Sequence, residues 1–259
     1  MDRHTLHEPL DMVDVVYNLA SPPPGASDEE YSKFNEMALN NLLEEANEHG
    51  TKVFVHLSCL DVYGSGGRIG TTTVPAPKDD YQRAKLDAEN RVIGFGRKNP
   101  DIKVRVVRAA RAIGPRDTAI TVPILNMAEH GKVILPSGSS SAISLSHPKD
   151  VAQALLRAAT YTGANQLFLV KSFDASLDTY SRALLTATGK KADVKSAGLL
   201  SGKTAISPYH SSQVRAGISL DAQDSWAAMS YAPSYTVQKT VEEVSEWHRK
   251  EPWATRDLA

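Results

Sequence analysis

The chain has 259 residues, of which 41% are hydrophobic and 23% are charged, and its formal net charge is −1 at pH 7. This size suits one large α/β domain or a domain with a smaller lobe, and the balanced charge gives no basic field for nucleic acid. No apolar run approaches the roughly 20 residues of a membrane span. The single cysteine cannot form an intrachain disulfide, so we expect a cytoplasmic protein. No Cys/His cluster has zinc spacing, so no metal site is expected.

Strand-like and helix-like segments alternate through the first part of the chain. Val13–Leu19 is a β-rich run that ends in a loop. The S-x-x-E spacing at Ser27 predicts a capped helix, which ends near Gly50. A strand is predicted at Lys52–Ser58, and the glycine-rich loop after it leads into a second helix over Asp80–Lys98.

The same alternation continues to the end of the chain. It predicts strands at Ile102–Ala110 and Asn165–Lys171, and helices at Val122–His130, Pro148–Thr160, Leu177–Thr188 and Thr236–Lys250. Ser201–Ser212 is predicted to be loop. Apolar strands that alternate with helices indicate a parallel sheet covered on both faces. In such sheets the chemistry collects at the carboxyl ends of the strands.

One pair of side chains at the start of the second helix could carry chemistry. Tyr81 and Lys85 are four residues apart and therefore share one face of the helix. A cation beside a phenol lowers the pKa of the phenol, and such a tyrosine can exchange a proton with a substrate hydroxyl or carbonyl. The alternative is an ordinary surface pair, because Tyr-x-x-x-Lys alone is common.

The order and spacing of several further motifs give this pair a context. The motifs are "LAS" (Leu19–Ser21), an Asn35 followed by "NLLE" (Asn41–Glu44), a strand that ends four residues before "YG", Tyr-x-x-x-Lys, "GPR" (Gly114–Arg116) after Arg108, and "HPKDVA" (His147–Ala152). Over roughly Val13–Ala159 the chain thereby resembles an extended short-chain dehydrogenase/reductase of the NAD-dependent epimerase/dehydratase family.

This resemblance implies a fold and a reaction. The fold would be α/β, with an incomplete Rossmann-like parallel sheet (residues 1–121 and 143–172) and a small substrate-binding lobe with a C-terminal helix (residues 122–142 and 173–259). The activity would be NAD(P)-dependent oxidoreduction or epimerisation at a carbinol carbon of a nucleotide-sugar-like small molecule. The family's habit also implies a homodimer through the helices at Ser27–His49 and Asp80–Lys98.

The resemblance also implies roles for individual residues. Tyr81 would be the general acid/base, Lys85 would tune it and hold the nicotinamide ribose, and Asn35 would support a structural or proton-relay water. The remaining candidates are Leu19, Ala20, Ser21, Leu57, Arg108 and Ala110 for NAD or NADP, and Asp61 and Arg111 for the substrate. Arg111 could bind a phosphate or carboxylate or be a solvated charge at a strand end.

Cys59 departs from the family, which has Ser or Thr at this position to hydrogen-bond the substrate oxygen. A thiol is a weaker donor, so catalysis would be weakened unless Ser58 turns inward, although alternation places Ser58 on the opposite face from Cys59. Cys59 could instead be a small buried apolar residue. Leu60 replaces a proton donor of the family's dehydratases, so the resemblance favours an epimerase or a dehydrogenase over 4,6-dehydration.

The glycine fingerprint for the dinucleotide has no counterpart, because the chain starts just before the family's fourth strand. The glycines from Gly64 onward do not fit G-x-G-x-x-G. Three interpretations stay open: the start is misplaced or the chain is a fragment, another chain covers the edge strand Val13–Leu19, or dinucleotide binding has been lost. The alternative function is therefore a non-catalytic or fragmentary binding protein on the same scaffold.

Overall fold

The computed structural model describes residues 3–64, 66–164, 166–197 and 203–251. The strands are β1 (Val15–Asn18), β2 (Val53–Cys59), β3 (Gly67–Ile69), β4 (Lys103–Ala109), β5 (Arg111–Ala112), β6 (Lys132–Leu135), β7 (Ala142–Ser146), β8 (Leu167–Val170), β9 (Phe173–Ser176), β10 (Asp193–Ser196) and β11 (Ile218–Leu220). The α-helices are α1 (His7–Leu10), α2 (Asp28–Ser32), α3 (Leu39–Glu48), α4 (Asp80–Lys98), α5 (Thr121–Ala128), α6 (Pro148–Thr160), α7 (Leu177–Thr188), α8 (Pro208–Ala216), α9 (Gln223–Ala228) and α10 (Val237–Lys250).

The centre of the fold is a four-stranded parallel sheet in the order β1-β2-β4-β8. Helices cover both of its faces, which confirms the predicted α/β, Rossmann-like class. Apolar side chains of α3 and α4 pack with Phe54 and Val106 in one core cluster, whereas those of α6 pack with Val55 and Val107 in another. In the register of the sheet, Cys59 at the end of β2 lies beside Ala109 at the end of β4.

Helix α4 has the predicted bounds because local signals fix both of its ends. Asp79 caps its start by accepting a hydrogen bond from the backbone N–H of Gln82 at 2.8 Å. At its end, the Asn99 side chain donates to the Phe95 carbonyl at 2.9 Å. A Cβ on Gly96 would come within 2.4 Å of the Val104 side chain, so this glycine lets α4 lie close against β4.

Two predicted elements differ from the structure. The helix that opens at Ser27 does have its capping box, but a π-helical turn at Lys33–Ala38 separates α2 from α3. The predicted loop at Ser201–Ser212 is wrong in its second half, where α8 begins with Ser207 as its cap and Pro208 in its first turn. Residues 201 and 202, and Asn165 of the predicted fourth strand, lie outside the described residues.

A third apolar cluster lies beyond the central sheet. It joins α5, α7 and α10 with the small strands, and its fully buried members include Leu135, Leu177, Tyr180 and Val244. Among the helices that the structure describes, none is long and apolar enough to cross a bilayer.

Candidate active site

Tyr81 lies at the carboxyl edge of the central sheet, on the second residue of α4. Its hydroxyl faces the thiol of Cys59 at the end of β2, with the sulfur and oxygen 4.0 Å apart. Its ring makes an edge-to-face contact with the ring of Tyr209, with the centroids 5.6 Å apart, and the ring centroid of Tyr31 lies 6.3 Å away. The loop between β2 and α4 therefore brings together the two positions that the sequence pattern singles out.

The acidity of Tyr81 differs from the sequence-based expectation. Burial raises the pKa of the Tyr81 hydroxyl far above its usual value, Cys59 and Asp61 raise it further, and Arg111 opposes them. Burial outweighs any effect of the nearby Lys85 ammonium, which donates a hydrogen bond to the Leu57 carbonyl at 3.1 Å. In this arrangement the phenol is protonated at neutral pH and is a weaker acid than an exposed tyrosine.

The Cys59 thiol is also held in its protonated form. Burial raises the pKa of the Cys59 thiol to about 12, the negative charge of Asp61 adds to this effect, and Lys85 opposes it. Only the thiolate is a strong nucleophile. Cys59 is therefore a weak hydrogen-bond donor toward Tyr81 and not a nucleophile.

Ser58 and Arg108 belong to a separate buried network. The Ser58 hydroxyl and the Arg108 guanidinium both donate to the carboxylate of Glu89 on α4, with Nη2 of the arginine 2.6 Å from Oε2. Arg108 also donates to the Tyr63 hydroxyl at 2.8 Å. The structure thus engages the side chains of Ser58 and Arg108 with Glu89 and not with Tyr81, and their predicted catalytic and cofactor roles stay predictions.

Asp61 and Arg111, the predicted substrate residues, lie together beside Tyr81. Asp61 Oδ2 accepts a hydrogen bond from Tyr209 at 2.7 Å and lies 3.5 Å from Nη2 of Arg111. His210 lines a small cavity together with Asp61 and Arg111. Burial and the charge of Arg111 lower the pKa of His210 to about 4. The sequence patterns did not identify Tyr209 or His210, whose only sequence signal is the Ser-Pro start of α8.

Leu19, Ala20 and Ser21 follow β1 at the same edge of the sheet. The Leu19 side chain is 54% exposed, and the Ala20 N–H donates to Oδ1 of Asn18 at 3.2 Å. The Ser21 hydroxyl donates to the Pro22 carbonyl at 3.3 Å. The three residues therefore present a small, partly apolar surface at the end of the edge strand.

Asn35 and Ala110 each make one hydrogen bond near this edge. Asn35, buried in the π-helical turn, donates to the Ala84 carbonyl of α4 at 3.3 Å, and π-turns are often found at functional sites. Ala110 is buried, and its N–H donates to the Val170 carbonyl at 2.7 Å. Asn35 thus contacts the helical turn that carries Tyr81 and Lys85.

The glycines after β2 serve close packing of backbones. Gly64 has a φ of 68°, and a Cβ there would lie 2.1 Å from the Ala76 carbonyl oxygen. A Cβ on Gly66 would lie 1.7 Å from the carbonyl oxygen of Ala216. The glycines let β3 pair with β11, and they do not form a turn between a strand and a helix that could hold phosphate.

The carboxyl edge fits one half of a dinucleotide. An ammonium has three donor hydrogens, so Lys85 can hold ribose hydroxyls while it keeps its bond to Leu57. Tyr81 and the exposed Leu19 lie at the same edge and could contact a nicotinamide ring. Within the described ranges, none of the turns from a central strand into a helix carries G-x-G-x-x-G.

A comparison with protein families identifies the relatives of this chain. The model of the NAD dependent epimerase/dehydratase family matches residues 1–170. UDP-glucose 4-epimerase of Vibrio cholerae is 28% identical over 198 residues, which cover 70% of this chain and 59% of that protein. Human sterol-4-alpha-carboxylate 3-dehydrogenase, decarboxylating, is 28% identical over 137 residues, 51% of this chain and 37% of that protein. The chain spans 37% to 59% of the length of the curated relatives it matches.

Solved structures share the fold over nearly the whole chain. UDP-glucuronic acid 4-epimerase from Bacillus cereus, in complex with NAD, superposes with a TM-score of 0.77 at 19% identity, over 96% of this chain and 78% of that one. RMD from Pseudomonas aeruginosa, complexed with NADPH, superposes with a TM-score of 0.74 at 17% identity, over 96% and 86%.

Proposed function

The chain belongs to the NAD dependent epimerase/dehydratase family, and on that premise we propose that it serves NAD(P)-dependent oxidation–reduction or epimerisation at a carbinol carbon. The observation that carries the proposal is the meeting of Tyr81 and Cys59, 4.0 Å apart, at the carboxyl edge of the sheet, with Lys85 on the same helical face. Parallel α/β sheets bind their ligands at this edge.

Tyr81 moves the proton in this proposal. A bound nicotinamide would accept and return a hydride, which leaves the proton of the substrate hydroxyl to the protein. Burial keeps the Tyr81 phenol protonated, so the phenol holds the proton that a carbonyl oxygen would take up in the reductive direction. In both directions the Tyr81 pKa must fall for the proton to move, and positive charge close to the phenol, such as the Lys85 ammonium, lowers that pKa.

A nucleotide-sugar-like substrate suits the residues beyond Tyr81. Asp61 and Arg111 offer an acceptor and a fixed cation within one small region, where the Tyr209 hydroxyl donates to Asp61 and holds it in place. Such groups suit hydroxyls and anionic groups. The similarity to the Vibrio cholerae UDP-glucose 4-epimerase supports the same class. We therefore propose a UDP-hexose as the first substrate to test.

The test uses the 259-residue chain and one conservative variant. NAD and NADP are titrated by calorimetry, and turnover of UDP-glucose and UDP-galactose is followed by separation of the two sugars. We expect a dissociation constant in the micromolar range, and a loss of turnover of about 10² to 10⁴-fold in Tyr81→Phe. The matched control is Tyr161→Phe, in the loop after α6, which should keep full activity.

Two results would contradict the proposal. Failure of both dinucleotides to bind at millimolar concentration would favour the non-catalytic binding protein. Turnover that survives Tyr81→Phe would show that another group moves the proton.

We also propose a cytoplasmic homodimer that pairs through α3, α4 and the π-helical turn. Phe34 and Met37 on that turn are 44% and 61% exposed, and large apolar side chains are favoured in interfaces. The free thiol of Cys59 suits a reducing compartment. In analytical ultracentrifugation the native protein should sediment with twice the mass of the chain, and the Met37→Glu variant with the mass of one chain. A monomeric native protein would contradict the dimer.

A further inference from the structure

Three side chains with metal-binding atoms meet far from Tyr81, where α1 packs against the end of α3. His7 Nδ1 lies 3.1 Å from His49 Nε2 and 3.2 Å from Oε2 of Glu45. The third distance, from His49 Nε2 to Glu45 Oε2, is 3.6 Å. In the part of the chain that the structure describes, this is the one group of three or more such residues whose ligand atoms converge.

The three distances match the edges of a metal-centred tetrahedron. Zinc binds imidazole nitrogen and carboxylate oxygen at ~2.0–2.1 Å, so the ligand atoms of a tetrahedral site lie ~3.3–3.4 Å apart. The observed distances fall on both sides of this value. Glu45 and His49 are four residues apart and reach the point from one face of α3, while His7 reaches it from the facing segment.

Glu45 is buried in a way that its protein contacts do not fully explain. The residue is 1% exposed, yet among the described residues its Oε2 atom accepts no hydrogen bond and has only the two imidazole nitrogens nearby as ionic partners. A buried carboxylate oxygen without a hydrogen bond is costly. A cation between Oε2 and the two imidazoles would remove this cost.

The other oxygen of Glu45 is fixed by a neighbouring cation. Arg3 donates to Oε1 and also pairs with Glu48 at 2.5 Å and with Glu44 at 3.3 Å. Partners of this kind orient a ligating side chain. Because three carboxylates surround one guanidinium, the local charge stays negative and favours a further cation.

From this geometry we propose that His7, Glu45 and His49 bind one divalent cation of the zinc class. Two imidazoles and a carboxylate suit Zn²⁺ and its late first-row neighbours better than Ca²⁺ or Mg²⁺, which prefer oxygen ligands. Three protein ligands leave a fourth position for water. The histidines are scattered along the chain and show no zinc spacing, so folding alone brings the site together.

The position of the site indicates a structural role. Strand β2 begins four residues after His49, so the site lies at the amino edge of the sheet, and the seven residues of β2, of which Cys59 is the last, run from this edge to the opposite one. At ~3.3 Å per residue this is ~20 Å or more. The cation would fasten the N-terminal helical segment to α3 and would take no part in chemistry at Tyr81, so this inference is independent of the proposed function.

The test is metal titration of the untagged, chelator-treated chain. We expect one equivalent of Zn²⁺ by calorimetry, and for Co²⁺ the intense visible absorption of a tetrahedral complex. His7→Gln and His49→Gln should each weaken Zn²⁺ binding at least tenfold. Both histidines are at least partly exposed, so these variants should fold. Zn²⁺ should raise the melting temperature of the native chain and not that of His7→Gln.

The exposed His130, at the end of α5, provides the matched control, and His130→Gln should bind Zn²⁺ as the native chain does. Absence of saturable binding at one equivalent would overturn the proposal. Binding that survives in the double variant His7→Gln/His49→Gln would overturn it as well. A Co²⁺ complex with weak, octahedral absorption would overturn the tetrahedral geometry.

Discussion

Helix α4 carries two polar side chains, Glu89 and Tyr81, that differ in how completely their hydrogen bonds are made. Near its middle, Glu89 is fully buried and is bound by the hydroxyl of Ser58 and two nitrogens of Arg108. At its first turn, the Tyr81 hydroxyl faces the weak donor Cys59, at 4.0 Å, as its hydrogen-bond partner among the described side chains. Ser58 and Cys59 are consecutive residues of one strand, yet they enter different groups.

The difference separates a structural group from a group that can bind a ligand. A buried ion pair whose hydrogen bonds are all made is rigid, and breaking one partner is costly. The groups around Tyr81 are partly exposed or loosely paired, as the 3.5 Å distance between Arg111 and Asp61 shows. Changes in the Glu89 group should therefore lower stability, and changes at Tyr81 should lower activity.

The largest expected effect on stability comes from Glu89→Gln. This change leaves the Arg108 guanidinium buried without its counter-charge, which should lower the free energy of unfolding by about 3 to 5 kcal/mol. Urea denaturation measures it. The control is Glu246→Gln, which removes an exposed i,i+4 pair with Lys250 and should change little. Equal stabilities of the two variants would break the proposed distinction.

A second effect on stability depends on pH and on His56, two residues before Ser58. Burial, with a smaller contribution from Lys85, lowers the pKa of His56 from 6.5 to about 3, and its Nε2 atom has no hydrogen-bond partner in the part of the chain that the structure describes. Below pH 6.5, His56 therefore binds a proton in the unfolded chain but not in the folded chain. The stability from His56 is present above pH 6.5 and falls by up to about 1.4 kcal/mol per pH unit toward pH 3.

Comparison of native protein and His56→Gln isolates this contribution. The native curve of unfolding free energy against pH should lose about 2 to 3 kcal/mol more than the variant curve between pH 6.5 and pH 4.5. His130→Gln, at an exposed position, should follow the native curve. Parallel curves for native protein and His56→Gln would show that His56 accepts its proton in the folded state.

Cys59→Ser tests the group around Tyr81 by replacing a weak hydrogen-bond donor with a stronger one. A hydroxyl is a better donor than a thiol, so turnover of the sugar nucleotide should rise about tenfold, which is about 1.4 kcal/mol of transition-state stabilisation. Ser58→Ala is the matched change one residue away. It should keep the native turnover and lower the free energy of unfolding. A fall in turnover in both variants would mean that the two groups act together.

Local sequence signals predicted the part of the site whose residues lie close to one another along the chain. Cys59 and Tyr81 are 22 residues apart, and the strand end, the loop and the cap at Asp79 place them with little freedom. The bounds of α4 followed from the same signals. The roles of these residues in catalysis stay predictions.

The sequence could not predict contacts that depend on the whole fold. Tyr209 reaches Asp61 across 148 residues and His49 reaches His7 across 42, and no periodicity or spacing encodes such meetings. The expectation of a lowered Tyr81 pKa was also wrong, since the spacing of Tyr81 and Lys85 on a helix does not reveal how deeply the phenol is buried. Burial, which raises that pKa, is a property of the folded chain.

The smallest expected effect comes from Tyr209→Phe, which removes one hydrogen bond to Asp61 and keeps the ring. The edge-to-face contact with Tyr81, at 85° between the ring planes, should persist. Asp61 retains Arg111 nearby, so the free energy of unfolding should fall by only about 1 kcal/mol, and turnover should stay within about twofold because the Tyr81 hydroxyl keeps its surroundings. Urea denaturation and initial rates measure the two quantities. A loss of turnover comparable to that of Tyr81→Phe would instead place the Tyr209 hydroxyl in the proton path, and the loosely paired group would then extend from α4 to α8.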